Sequence, residues 1–237
     1  MTVVWHDLEC GGYDADLALW RELAAAHPGP VLDIGAGTGR TAIMLARAGF
    51  AVTALDRDPE LLEELGRRSA GLGVERVLAD ARDFSLGRRF SLILVPMQTI
   101  QLLGGAAGRA RFLACARDHL DAGAVIAAAL TDELELFEVP EGSPAPLPDV
   151  CEIGGVVYSS RPTAVRPDGQ TFVLERRREV VSAGGTLTSE LDTIHLDRLD
   201  AAELEQEAVA LGLVCAGRAV IAPTRDHVGS VVVMLGG

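Results

Sequence analysis

From Val31 to Leu130 short apolar runs alternate with stretches of helical spacing. The run VLDIG is followed by RTAIMLARAG, then AVTALD, PELLEELGRR and VERVLAD. Strand and helix in this rhythm predict βαβ units and therefore a parallel sheet, since a parallel neighbour is reached only through a crossover. The series continues with FSLILVP, a helix around Arg109 to His119, and AGAVIAAAL, whose unbroken apolarity predicts a strand covered on both faces. Five parallel strands are thereby accounted for.

Residues 131–150 break the rhythm. Their stretch ELFEVPEGSPAPLPDV carries prolines at spacings that forbid a regular helix or a central strand, so a loop over one sheet edge is expected. Three strand-like stretches follow, GGVVYSS, QTFVLERRREVVS and TLTSELDTIHL, joined by turn signals at Pro167-Asp168-Gly169 and Ala183-Gly184-Gly185. They predict an antiparallel insertion. An acidic amphipathic helix from about Asp200 to Leu211 then leads through Gly212 into two closing strands, LVCAGRAVI and GSVVVMLGG. The whole reads as one α/β domain over residues 1–237: a core at 14–130, an antiparallel insertion after the fifth strand at 150–197, and residues 198–237 completing a doubly wound, mostly parallel seven-stranded sheet. Upstream, Tyr13 and Trp20 stand seven residues apart and are expected on one face of a short helix, with Trp20 in the core.

Composition narrows the chemistry. The chain of 237 residues is 49% hydrophobic, yet no run reaches the length that spans a bilayer. The segment Met1 to Cys10 has no basic cluster and carries Asp7 and Glu9, so no secretory signal or transit peptide is read there and cytoplasmic residence is expected. A net charge of −13 repels phosphate backbones and disfavours nucleic-acid substrates. The triplet Arg176, Arg177, Arg178 lies in a strand pattern and is expected to form a solvated face. The sequence contains neither Lys nor Asn, which removes Schiff-base and P-loop chemistry. Cys10, Cys115, Cys151 and Cys215 are isolated from one another and from His at ligand spacing, so no metal site is expected.

The sharpest signal is VLDIGAGTGR, a buried strand that runs through Gly35, Gly37 and Gly39 into a helix. Glycines there let the backbone approach a ligand at a helix N-terminus. A dinucleotide fingerprint would need glycine at position 40, where this chain has Arg40. The next strand ends ALDRDP and places Asp56 at the carboxyl edge of the sheet, where a carboxylate can accept both hydroxyls of a ribose.

The GxGxG spacing, with Asp33 two residues before the first glycine, resembles the first motif of the class I, Rossmann-like, S-adenosylmethionine-dependent methyltransferases. The resemblance covers about Tyr13 to Leu130. It implies that Gly35, Ala36 and Gly37 wrap the methionine part of S-adenosylmethionine, that Asp33 orients it through its amine or a water, and that Arg57 forms a lid on the adenine. Asp80 would meet the adenine amino group and the Ala81 backbone a ring nitrogen, although a turn cap explains Asp80 equally well. Tyr13 would cover the methionine end. Val95 and Pro96 would present carbonyls to the cofactor amine, and Met97, Gln98 and Gln101 would line the substrate pocket.

The tetrapeptide VPMQ departs from the Asn/Asp-Pro-Pro-aromatic motif of enzymes that methylate base nitrogens or glutamine, which argues against those acceptors. The carboxylates that hold magnesium in catechol-type enzymes are missing too, so no metal is expected. His195 and Tyr158 are the candidates for a general base if one is needed, although a partly exposed strand residue is the stronger reading of His195. His119 is read as a helix C-terminal cap. The insertion is similar to that of the small-molecule branch, which includes glycine and amino-sugar N-methyltransferases, where it roofs the pocket and builds a homodimer interface. The expected function is methyl transfer to a small-molecule amine or hydroxyl by in-line displacement. An NAD-dependent oxidoreductase shares the βαβ unit and Asp56, and a non-catalytic cofactor-binding scaffold shares the fold.

Overall fold

The computed structural model describes residues 1–131, 133–140, 143, 146–225 and 227–237. In chain order the elements are α1 (Thr2–Cys10), α2 (Leu17–Ala26), β1 (Val31–Ile34), α3 (Arg40–Arg47), β2 (Val52–Asp56), α4 (Pro59–Arg68), β3 (Glu75–Leu78) and β4 (Phe90–Val95). After a 3-10 turn at Thr99–Leu102 come α5 (Gly105–Asp118), β5 (Leu120–Leu130), β6 (Phe137–Glu138), β7 (Asp149–Ile153), β8 (Val156–Asp168), β9 (Thr171–Val181), β10 (Leu187–Asp197), α6 (Ala201–Ala210), β11 (Val214–Ile221) and β12 (Ser230–Gly236). They fall into two compact units, Met1–Gly12 with Glu133–Arg198, and Tyr13–Asp132 with Leu199–Gly237.

The larger unit holds a seven-stranded sheet in the order β11-β12-β5-β4-β1-β2-β3. Strands β1 to β5 are mutually parallel, while β12 runs antiparallel to both β5 and β11. Side-chain alternation sends Leu32, Ile34, Ile93 and Val95 to one face, where Phe112 and Leu113 of α5 and Leu204 of α6 cover them. Val31, Leu92 and Leu94 go to the other, against Trp20 of α2, Leu45 of α3 and Leu65 of α4. This is the doubly wound α/β sheet that the βαβ rhythm predicts. Strand order reverses between β1 and β4, and in such sheets the crevice beyond the carboxyl ends of the two diverging strands receives the ligand. Helix α4 starts where Asp58 accepts from the Glu60 and Leu61 amides at 2.8 and 3.2 Å, and α6 starts with a reciprocal pair between Asp200 and Glu203. Among the described residues no helix is long and apolar enough to cross a membrane.

Two expectations for this unit need correction. Helix α2 begins at Leu17, so Tyr13 precedes the helix that carries Trp20 instead of sharing its face. Trp20 itself is fully buried, as expected. His119 does sit at the C-cap of α5, but its ring is a structural link: Nδ1 donates to the Cys115 carbonyl at 2.7 Å and Nε2 accepts from the Leu86 amide at 2.9 Å. The cap therefore works through the hydrogen bonds that the ring makes to Cys115 and Leu86.

The smaller unit is an antiparallel sheet in the order β10-β9-β8-β6, with β7 also paired to β8. The insertion is thus richer than the three expected strands. Short strands β6 and β7 occupy part of the proline-rich stretch read as a loop, of which residues 141, 142, 144 and 145 lie outside the described residues. Strand β8 continues past Ser160 because a register shift between Pro162 and Ala164 accommodates the proline, which has no amide to give a ladder.

Helix α1 joins this sheet through Glu9, whose side chain is only 8% exposed. Its carboxylate accepts from Arg178 at 2.7 and 2.8 Å and from the Ser160 hydroxyl at 2.7 Å. Burial alone would raise the Glu9 pKa, but the Arg178 and Ser160 hydrogen bonds and the Arg176 charge outweigh it and hold the group below its ordinary value. Arg178 also reaches Asp192 and lies 5.4 Å from the centre of the Trp5 ring, while Arg176 donates to Ser160 and Asp149. The arginine triplet is therefore a solvated face only at Arg177; alternation turns Arg176 and Arg178 inward to pair with α1.

Candidate active site

Of the residues expected around a cofactor, Asp33, Gly35, Ala36, Gly37, Asp56 and Val95 lie in the larger unit at the carboxyl ends of β1, β2 and β4. Asp33 occupies the third position of β1, in register with Ala54 of β2 and Leu94 of β4. It is 1% exposed, and neither carboxylate oxygen has a hydrogen-bond partner. Burial pushes this carboxyl up to about 7; Arg40 draws it down, Asp56 pushes it up, and the Ala42 amide and Asp16 act more weakly in opposite directions. The Ala42 amide acts electrostatically without reaching hydrogen-bond geometry.

The Tyr13 hydroxyl is likewise buried and unpartnered. Burial raises its pKa first, Asp16 adds to this and Arg40 opposes it, with Ser230 close enough to bias the hydroxyl but outside hydrogen-bond geometry. Among the described residues, one phenol hydroxyl and the two oxygens of one carboxylate are the buried side-chain polar atoms left without a partner. Unmet buried groups of this kind are costly to a fold and mark places where something else completes the hydrogen bonding.

The glycine loop is moored to β2. Gly35 and Ala36 both donate to the Leu55 carbonyl, at 2.9 and 3.1 Å, and Gly37 donates to Asp56 Oδ2 at 2.8 Å. Asp56 Oδ1 accepts from the Asp58 amide at 2.9 Å. Each oxygen of Asp56 is thus used once and keeps a lone pair for a hydroxyl. Gly35 has φ +68°, and a Cβ there would stand 2.7 Å from Cγ2 of Thr99. The loop after β1 therefore touches the loop after β4 at a point where only hydrogen fits. Gly35→Ala is expected to lower stability by about 1–2 kcal/mol from the left-handed backbone alone, with displacement of Thr99 adding to it. Denaturant unfolding monitors this, and an unchanged midpoint would contradict it.

At the end of β4 Val95 is fully buried, and just beyond it Met97 holds φ +54°, a conformation disfavoured for any residue with a side chain and frequent at functional sites. Met97 and Gln98, both expected to line the substrate pocket, are half-buried. Gln101, expected beside them, is placed differently. It is fully buried, its amide nitrogen donating to the Thr131 carbonyl and its oxygen accepting from the Thr131 amide, both at 2.9 Å, so it clamps the 3-10 turn to the end of β5.

Asp80 caps its own turn. Its oxygens accept from the Arg82 amide at 2.8 Å and from the Arg82 guanidinium at 2.6 and 2.9 Å. Those bonds, with a contribution from the exposed Arg57, hold its carboxyl well below the usual range despite partial burial. The turn-cap alternative therefore describes Asp80 here, with Ala81 half-buried inside the same turn. Both base candidates lie in the antiparallel unit: His195 is exposed on β10, and Tyr158 on β8 packs edge-on against Trp5 at 5.6 Å.

Two features escaped the sequence reading. Arg40, noticed there only because it is not glycine, forms a two-pronged pair with fully buried Asp16 at 2.5 and 2.7 Å, donates to the Tyr13 carbonyl at 2.9 Å and lies 5.3 Å from the centre of the Tyr13 ring. Asp16 also accepts from Trp20 Nε1 at 2.7 Å. The second is His227, in the segment between β11 and β12, whose ring lies 4.9 Å from that of Tyr13.

Residues 31–123, less than half of the chain, match the family described as a methyltransferase domain. Over 64 residues, 27% of this chain and 28% of the relative, it is 38% identical to the uncharacterized methyltransferase YodH of Bacillus subtilis (strain 168). Over 105 residues, 44% of this chain and 43% of the relative, it is 30% identical to the cypemycin N-terminal methyltransferase of a Streptomyces species. The matched region thus spans less than half the length of either curated relative. Among solved structures, S-adenosylmethionine-bound CalS10, an amino pentose methyltransferase from Micromonospora echinaspora, superimposes with a TM-score of 0.73, covering 99% of this chain and 97% of its own at 21% identity. At that identity the likeness establishes the fold.

Proposed function

We propose that the protein is an S-adenosylmethionine-dependent methyltransferase acting on a small-molecule acceptor, an amine in the first instance. The observation that carries this reading is the complementary pair of unmet groups: a buried hydroxyl able to donate and a buried carboxylate able to accept. An α-amino acid end, with its carboxylate and ammonium, is the ligand that satisfies both at once. Asp33 would hold the ammonium, Tyr13 the carboxylate, Gly35 to Gly37 the chain between them, Asp56 the ribose hydroxyls and Val95 the amine through its carbonyl. Arg57 and Ala81 would flank the adenine, and Asp80 would reach it only by loosening its bonds to Arg82. The cofactor supplies a methyl group made electrophilic by its sulfonium.

The chain's own task is then approximation: Met97 and Gln98 shape the wall that presents the acceptor in line, and positioning of this kind supplies most of the rate. His195 and Tyr158 are proposed as the groups that would take the acceptor's proton. The amine preference is supported by the amino pentose methyltransferase with the same fold and by the N-terminal methyltransferase relative. A homodimer through the antiparallel unit, whose strand β10 exposes Leu187 and Leu191, and residence in the cytoplasm complete the proposal. Calorimetric titration with S-adenosylhomocysteine, with NAD as the comparison ligand, tests it. Micromolar binding of the first alone is expected; binding of NAD instead, or of neither, overturns it.

A further inference from the structure

The segment between β11 and β12 places beside Tyr13 a residue that no motif announces. His227 presents its ring to Tyr13 at a centroid distance of 4.9 Å and a tilt of 49°, a geometry in which aromatic rings attract beyond the area they bury. Two described residues of the segment pair with each other: the Thr224 amide donates to the His227 carbonyl at 2.9 Å, and the His227 amide donates to the Thr224 hydroxyl at 3.0 Å. That hydroxyl also lies 3.4 Å from His227 Nδ1, so both backbone and ring of His227 are oriented by one neighbour. The imidazole is nevertheless exposed, which leaves its position over Tyr13 unexplained by core packing.

Tyr13 needs such a partner. It lies outside any helix, its ring is met by the Arg40 guanidinium at 5.3 Å, and its hydroxyl is buried without a hydrogen-bond partner. A phenol that must donate to a ligand from a non-helical segment loses affinity if its ring can turn away, because the ordering cost then falls on the binding step.

We propose that His227 is a positioning residue that holds the Tyr13 ring so that its hydroxyl meets the amino acid end of the bound cofactor. This rests on the methyltransferase reading above. The two residues stand 214 positions apart in the chain and meet only once the fold is complete.

The test is calorimetric titration of the full chain with S-adenosylhomocysteine for wild type, His227→Ala, His227→Phe, Tyr13→Phe and the double variant Tyr13→Phe/His227→Ala. Loss of the ring contact is expected to weaken binding about three- to tenfold, with His227→Phe restoring it and with thermal midpoints unchanged because the residue is exposed. Where His227 acts through the Tyr13 hydroxyl, the double variant binds no more weakly than Tyr13→Phe alone. Unchanged affinity in His227→Ala, or additive losses in the double variant, overturns the assignment while leaving the cofactor reading intact. Failure of the wild type to bind at all overturns both.

Discussion

Asp33→Asn is expected to make the protein more stable at pH 8 and, at the same time, a poorer binder of S-adenosylhomocysteine. The carboxyl is fully buried without a donor, and burial pushes its pKa from 3.8 to about 7. Below the unfolded value both states hold the proton. Between about pH 4 and 7 only the folded chain holds it, so each unit of rising pH costs about 1.4 kcal/mol of stability until the folded group also ionises. The loss amounts to about 4 kcal/mol at most by neutral pH, and an amide, which does not titrate, removes the slope. Affinity moves the other way, because an ammonium prefers the ionised carboxylate: removing that charge should weaken binding by about 1.5–3 kcal/mol. For the wild type, affinity should rise with pH up to about 7 and then level off, as Asp33 no longer has a proton to surrender. Denaturant unfolding at pH 5 and pH 8, with titrations at both, checks each part. A variant less stable at pH 8, or one with wild-type affinity, would show that Asp33 serves the fold and not the ligand.

The largest loss of stability is expected from Asp16→Ala. Asp16 is fully buried and satisfies three donors, two from Arg40 and one from Trp20. Its removal leaves a guanidinium with 12% side-chain exposure and an indole N–H without their acceptor. Breaking a buried pair from one side typically costs about 3–5 kcal/mol, which in a chain of this size lowers the thermal midpoint by roughly 6–20 °C. Replacing both partners, as in Asp16→Ala/Arg40→Met, should recover part of the loss because no charge is then stranded. A double variant as unstable as the sum of the single ones would refute the pairing as the cause.

Much of the larger unit could be read from the chain because its information is local. Runs such as FSLILV and AVIAAAL are strands buried on both faces, and VLDIGAGTGR keeps strand, turn and helix start within ten residues. The boundary of α6 was legible for the same reason, since Asp200 and Glu203 form their cap within one turn. What escaped depends on distance. Arg40 meets Asp16 across 24 positions, and His227 meets Tyr13 only after the sheet is complete, so no window of sequence contains either contact. Helix α1 has the opposite difficulty: Thr2, Val3 and Val4 are β-branched and weakly helical, and its place is fixed by Glu9 meeting arginines far along the chain. Gln101 looked like a pocket residue because a buried glutamine and an exposed one differ only in what lies beside them, here the backbone of Thr131.

The bond between Glu9 and Arg178 also sets an order of events. These residues are 169 positions apart, and a ribosome adding about 5–20 residues per second needs roughly 8–34 seconds to cover that interval. During this time β1 to β5 can pair with one another, whereas α1 is made before them and waits for Arg178, the partner of its Glu9. A nascent chain halted after β5 has left the ribosome and before β9 is made should therefore protect the parallel strands from protease while cleavage before Gly12 stays fast, and α1 becomes resistant only once β9 has been made.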